Sequence, residues 1–328
     1  MSERDPTEGF GVLHVVEPGW AAGTREGGSD AALLACAAHR LAETPGPRDV
    51  CVVGTDAALR TVRELDMNPI GVIPRRLTPR ATFDRPARPG SPTHHGTELL
   101  WHAGTRGPVS SGAASVLRAF SPPTPHLLAR ARRARHVEVL TEPDRLAWAD
   151  VGIGAAIVDP PDLAPLAASR RAHDQAARRR LDVDGTIMLC PIGDRPSAID
   201  ARQFGFLLGL LAVSGRNISG LLAREALHGP LARRHINALH EPCRVFEAEV
   251  SSLAVLGVAD LALVPPSVTQ GSGADLIITR WCEALGVPIV HWGQVAPGKL
   301  RHTPGLAGPV IEAIERSRAG EVPSTLAG

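Results

Sequence analysis

Lysine and tyrosine are almost absent from this chain. Lys299 is the only lysine among 35 basic residues, and none of the 328 residues is a tyrosine. A site that needs a lysine elsewhere in the chain therefore cannot have one. The formal net charge is only +1, which gives no electrostatic argument for nucleic acid as the main partner. We predict that the protein does not bind nucleic acid.

Cysteine pairs and long apolar runs are also missing. The odd number of cysteines and the lack of CxxC spacing are typical of reduced, buried thiols rather than of a disulfide framework. The most apolar run, Phe204–Val213, has about half the length of a membrane span, and no basic and apolar leader opens the sequence. We expect a cytoplasmic protein with at most peripheral membrane contact. The cysteines are Cys36, Cys51, Cys190, Cys243 and Cys282.

Short apolar runs of strand length alternate with helical segments along most of the chain. Phe10–Val16 is a continuous apolar run, as in a buried parallel strand, and Ser29-Asp30 offers a cap for the amphipathic segment Ala31–Ala42. The same alternation resumes after an arginine-rich helical segment. It predicts an α/β protein with two Rossmann-like parallel-sheet domains, residues 1–165 and 166–328, facing across a cleft. The last helix, Pro309–Arg318, is a candidate for packing back on the N-terminal domain.

Two segments depart from this alternation. Arg75–Thr97 is rich in proline and arginine and is interpreted as a long irregular loop, in which His94-His95 have no carboxylate or cysteine at metal-ligand spacing. Helix is expected to dominate from Gly104 to about Arg135. Its four closing arginines form either a solvated face or a surface for anionic lipid. They are Arg130, Arg132, Arg133 and Arg135.

One segment, Val258–Val290, carries the clearest candidate for a binding site. It contains a predicted strand, Leu261–Val264, two prolines, a glycine turn, a predicted helix, Ala274–Leu285, and a second strand. A helix that begins at a glycine turn after a strand presents unpaired N–H groups and partial positive charge to an anion. An ordinary connection between two parallel strands gives the same pattern and remains open as an alternative.

The order of these segments resembles the family-4-type glycosyltransferases of the GT-B fold. The resemblance is carried by VLHVVEP…GGSDAALLACAAHRLAE near the start and by ADLALVPPSVTQGSGADLIITRWCEALGVPIV in the C-terminal half. It covers most of the chain apart from residues 75–98. The resemblance implies transfer of a sugar, with retention of configuration, from a nucleotide-sugar donor to an unknown acceptor. That acceptor is a glycan, a lipid-linked molecule or a small molecule, and neither a metal nor a separate cofactor is implied.

The resemblance also assigns candidate roles to individual residues. His102 falls where family members place a histidine facing the sugar, and Arg195 falls near the arginine that neutralises the leaving diphosphate. We predict these two as catalytic. The predicted donor-binding residues are Gly27, Gly28, Gly193, Gln270, Gly271, Ser272 and Gly273.

Several positions depart from the family pattern. The two glutamates that bind donor hydroxyls in the family fall on Gln270 and Trp281, and the family's lysine position holds Ile199. These departures support an alternative: a catalytically inactive descendant that binds a nucleotide-sugar or glycan, or acts as an interaction scaffold. A nicotinamide-dependent oxidoreductase is a third hypothesis, which rests only on the Rossmann-like halves.

Overall fold

The computed structural model forms two compact units. The first comprises Met1–Pro165 with Thr269–Ile277, and the second comprises Leu166–Val268 with Ile278–Gly328. The structure describes only part of the chain. The described residues are 12–16, 31–38 without 33 and 36, 50–54, 71–74, 98–102, 115–132, 134–183, 185–193, 201–223, 234–237 without 235, 243–248, 251–264, 271–291 and 304–318.

The first unit is built on a seven-stranded sheet in which every strand pair is parallel. Its strand order is β3-β2-β1-β4-β5-β6-β7. The strands are β1 (Val12–Val16), β2 (Val50–Gly54), β3 (Gly71–Pro74), β4 (Glu98–His102), β5 (Ser115–Ala119), β6 (His136–Val139) and β7 (Ala155–Ile157). Described positions of 31–38 are helical and their alanines and Leu34 are buried. Two further helices are α1 (Pro125–Ala131) and α2 (Glu142–Asp150).

Strand β5 contradicts the helix expected between Gly104 and Arg135. It pairs with β4 on one side and β6 on the other. Val116 and Leu117 are 3% and 2% exposed, as in a parallel strand covered on both faces. Pairing with two neighbours overrides the helix propensity of the alanines and the leucine around it.

The second unit contains a five-stranded, entirely parallel sheet of order β10-β9-β8-β11-β12. The strands are β8 (Ile187–Pro191), β9 (Ile218–Ala223), β10 (Arg244–Ala248), β11 (Leu261–Val264) and β12 (Ile289–His291). The helices are α3 (Ala164–Leu181), α4 (Ala201–Val213), the 3-10 helix Ser252–Val258, α5 (Gly273–Leu285), whose first residues belong to the first unit, and α6 (Pro304–Arg318).

Helices α4 and α6 cover the core of the second sheet. Phe204, Leu208 and Leu211 of α4 cluster with Val310 and Ile314 of α6, and all five are at most 2% exposed. Helix α6 thus packs against α4 inside the second unit. Its expected contact with the N-terminal domain stays a prediction.

Candidate functional site

Each sheet has one point at which the strand order reverses, and ligands of open parallel sheets bind at the carboxyl ends of the strands there. In the first unit the reversal lies between β1 and β4, and His102 is the last residue of β4. In the second unit it lies between β8 and β11. Gly193 follows β8 and is buried, and the adjacent Ile192 N–H donates to the Leu263 carbonyl at 2.9 Å. Two predicted site residues therefore lie at these positions.

An arginine missed by the sequence analysis lies beside His102. Arg118 of β5 is the register partner of His102, and its guanidinium donates to Glu138 of β6 at 2.7 and 2.9 Å. The two side chains are only 10% and 15% exposed. Arg118 escaped notice because its segment was expected to be helical. Arg118 and Glu138 therefore form an ion pair, in which the two charges neutralise each other, near the carboxyl ends of β5 and β6.

The predicted anion-binding turn has a well-defined local structure. Gly271 has φ = +74°, a left-handed conformation that glycine adopts without strain. Its N–H donates to the Asp275 carboxylate at 3.0 Å, and the Asp275 N–H donates to the Ser272 hydroxyl at 3.3 Å. Ser272 is 2% exposed. These two bonds resemble a capping box, except that the Asp275 carboxylate accepts from Gly271 rather than from Ser272, and they fix the start of α5.

The first two N–H groups of α5, those of Gly273 and Ala274, also donate to acceptors of the protein. Gly273 N–H donates to Oδ2 of Asp144 at 2.6 Å, and Ala274 N–H donates to the Phe120 carbonyl at 2.7 Å. The amides of Gly273, Ala274 and Asp275 are among the donors that a helix leaves unpaired at its start. In this structure all three are paired, so an anion could reach them only by replacing a protein acceptor.

Asp144 is held in place by the start of helix α2. Thr141 caps this helix and accepts from the Asp144 N–H at 3.4 Å. Asp144 is 1% exposed, and this burial raises the pKa of its carboxyl group, against the lowering effect of hydrogen bonds from Gly273 and Thr141. Thr141 and Asp144 have the spacing of a local helix cap. That pattern gives no sign that the carboxylate reaches Gly273.

The surroundings of Gly273 leave little space beside it. A Cβ atom at this position would lie 3.3 Å from Asp144 Oδ2, from Leu140 Cβ and from Phe120 Cα. Trp148, one turn after Asp144, is fully buried and donates its indole N–H to the Ser121 carbonyl at 3.3 Å. Helix α2 and the residues after β5 therefore pack closely around the first residues of α5.

Trp281 belongs to the core of the second unit. It is fully buried, and its indole N–H donates to the Leu253 carbonyl at 2.8 Å. Glu283, two residues further along α5, is exposed. Two residues correspond to about 200° around a helix with 3.6 residues per turn. The carboxylate of Glu283 therefore lies on the opposite side of α5 from Trp281.

Several predicted site residues lie outside the described part of the chain. These are Gly27, Gly28, Arg195 and Gln270, and of His102 only the backbone is described. Their roles remain predictions. Within the described ranges, no group of three or more His, Cys, Asp or Glu side chains is arranged to hold a metal ion. The helices in those ranges are each too short or too polar to form a membrane span.

The chain was compared with protein-family models, curated proteins and solved structures. The first two comparisons find no match. UDP-GlcNAc 2-epimerase from Neisseria meningitidis, bound to UDP-GlcNAc, is 12% identical with a TM-score of 0.55, over 95% of this chain and 93% of that one. HepE from Anabaena, in complex with UDP-glucose, is 13% identical with a TM-score of 0.55, over 95% and 91%.

A third structure, UDP-GlcNAc 2-epimerase from Methanocaldococcus jannaschii in complex with UDP-GlcNAc and UDP, is 12% identical with a TM-score of 0.50, over 93% of this chain and 92% of that one. At such low identity these similarities show the fold alone. The fold class predicted from the sequence is thereby confirmed: the chain has the GT-B fold, with two Rossmann-like parallel-sheet domains.

Proposed function

We propose that this protein binds a nucleotide-sugar and transfers its sugar to an acceptor, as a divergent relative of the family-4-type glycosyltransferases. The observation that supports this most is the pair of parallel sheets, each with a strand-order reversal where a ligand can bind. Solved structures of the same fold hold UDP-GlcNAc, UDP-glucose or UDP. The proposed enzyme retains the anomeric configuration and works in the cytoplasm without a metal ion.

The proposed chemistry depends mainly on stabilising the diphosphate as it leaves. Preorganised donors directed at a developing negative charge supply the largest single contribution to catalysis in many enzymes. Arg195 and the backbone N–H groups of the glycine-containing turns fill this role in our proposal. His102, at the end of β4, faces the transferred sugar. The donor-binding residues are Gly27, Gly28, Gly193, Gln270, Gly271, Ser272 and Gly273.

Binding and turnover of nucleotide-sugars test this proposal. Calorimetric titration with UDP and GDP measures binding, and chromatography of reactions with their sugars shows whether sugar is transferred, epimerised or released to water. Arg195→Gln is expected to weaken UDP binding by about 10- to 150-fold, since one charge-assisted contact contributes roughly 1.5–3 kcal/mol. Arg216→Gln is the matched control, because Arg216 pairs with Glu315 at 2.8 Å instead. Absence of both binding and turnover would refute the proposal.

A second candidate is a GT-B protein that binds a nucleotide-sugar or glycan without catalysis. Two observations favour it: acceptors of the protein occupy the first N–H groups of α5, and Trp281 is a core residue. Ligand-dependent thermal stabilisation without any turnover would support this candidate over the transferase. Turnover of any nucleotide-sugar would exclude it.

A further inference from the structure

The carboxylate of Asp144 occupies the position that an anion would take at the start of α5. Its Oδ2 lies 2.6 Å from the Gly273 nitrogen, and the contact is buried. A hydrogen bond from an amide to a carboxylate is charge-assisted, and the partial positive charge of the helix start adds to it. Asp144 therefore makes the interaction with α5 that a phosphate oxygen makes at other helix starts.

A phosphate group cannot simply be added to this arrangement. Gly273 has one N–H, which already has a short bond, and atoms of three residues lie 3.3 Å from the position of a Cβ there. Two anions in such close contact would also repel each other in a site that excludes water. A diphosphate that uses the Gly273 amide must therefore displace the Asp144 carboxylate.

The contact of Asp144 differs from a permanent ion pair. None of the Arg, Lys or His side chains within the described ranges forms a salt bridge with Asp144. The buried carboxylate is instead stabilised by hydrogen bonds, and an unpaired buried charge is costly. Transfer of Asp144 to water offsets part of the cost of breaking its bond to Gly273.

We propose that Asp144 is an internal competitor of the donor diphosphate, which closes the start of α5 until a nucleotide displaces it. This inference rests on the proposed function, since it takes a nucleotide-sugar as the ligand. It adds a regulatory element to that function: binding of the nucleotide is coupled to release of the first turn of α2 from Gly273.

Calorimetric titration of the full-length protein with UDP tests this competition. In Asp144→Asn the amide oxygen can still accept from the Gly273 N–H, but the competing charge is lost. This variant is expected to bind UDP about tenfold more tightly than the wild type, a difference of about 1.4 kcal/mol. Glu142→Gln is the matched control, because it removes the same charge from the same turn. Glu142 is exposed and pairs with Arg145, so UDP affinity should not change.

The possible outcomes separate this inference from the proposed function. If the wild type and Asp144→Asn bind UDP equally well, nucleotide binding stands and the competition is refuted. An equal gain in Glu142→Gln would also refute it, since general charge repulsion would then explain the effect. If none of the three proteins binds any nucleotide, the proposed function fails and the competition fails with it.

Hydrogen–deuterium exchange of the wild type gives a second test that needs no variant. Saturating UDP should speed amide exchange in residues 142–150, because Asp144 no longer ties α2 to α5. Binding of UDP that leaves exchange in α2 unchanged would contradict the competition. This result would hold even if Asp144→Asn failed to fold.

Discussion

Aspartates that accept hydrogen bonds within the protein are stabilised differently in the two units. In the second unit, Asp174 and Asp260 are paired with arginines of helix α3: Arg170 lies 3.2 Å from Asp174, and Arg178 lies 2.8 Å from Asp260. In the first unit, Asp144 is bonded to the Gly273 amide at 2.6 Å, and no cation among the described residues pairs with it. The comparison is close because Asp260 also accepts from a backbone amide, that of Met188, at 2.8 Å.

The difference indicates which carboxylate can be exchanged. An arginine presents a planar set of donors that holds a carboxylate through two bonds, as Arg178 does with Asp260. Removal of either partner leaves a charge without its counterion. The partner of Asp144 is a neutral backbone amide, so another anion can replace the carboxylate without leaving a cation unpaired. The arginine-paired aspartates therefore maintain the fold, while Asp144 is suited to a change of state.

The largest expected effect is at the Arg170–Asp174 pair. A Cβ added in Gly257→Ala would lie 2.1 Å from Asp174 Oδ2, so the carboxylate must shift, and we expect this shift to break its bond with Arg170. Both side chains are at most 5% exposed, and breaking a buried pair costs about 3–5 kcal/mol. Urea unfolding followed by circular dichroism measures this loss. Gly154→Ala, with no atom within 4 Å of its added Cβ, is the control and should change stability by less than about 0.5 kcal/mol.

The second effect concerns Asp260, which ties α3 to the start of β8 and β11. Asp260→Ala removes two bonds from Arg178 and one from the Met188 amide. Its side chain is 34% exposed, and water partly replaces these contacts. A loss of about 2 kcal/mol is expected, measured by the same unfolding experiment. Glu315→Gln tests an exposed arginine pair and should cost under about 1 kcal/mol. Equal losses in both variants would contradict the special role of Asp260.

The sequence predicted the fold better than it predicted this distinction. Alternating apolar and helical segments depend on local pattern, and the predicted strands Phe10–Val16 and Leu261–Val264 are observed as Val12–Val16 and Leu261–Val264. The exception, β5, owes its structure to neighbours on both sides. The bond from Gly273 to Asp144 joins residues 129 positions apart, and no local pattern specifies such a pair. The burial of Trp281 against Leu253 likewise follows only from tertiary packing.

A smaller effect is expected when Asp144 itself is truncated. Asp144→Ala leaves the buried Gly273 N–H without an acceptor, which costs about 1–2 kcal/mol in the free energy of unfolding. Removal of a buried charge offsets part of this cost, so the loss of stability should be smaller than in Asp260→Ala. Asp144→Asn preserves an acceptor and should be closer to the wild type in stability. An equally large loss in Asp144→Asn and Asp144→Ala would show that the carboxylate charge is essential to the fold, contrary to the comparison.

The smallest effect is the pH dependence that Asp144 gives to stability. Burial raises its pKa above the ordinary value of 3.8, so the folded protein takes up this proton at higher pH than the unfolded chain does. The contribution of Asp144 to stability therefore increases as the pH falls through its folded pKa and is complete below 3.8. Glu142 has the opposite sign, because its hydrogen bond with Arg145 lowers its pKa. Unfolding free energies are measured at a series of pH values across the acid range. As the pH falls, the wild type should gain stability relative to Asp144→Asn and lose stability relative to Glu142→Gln. The same sign for both variants would mean that the general charge of α2, and not the burial of Asp144, determines the response.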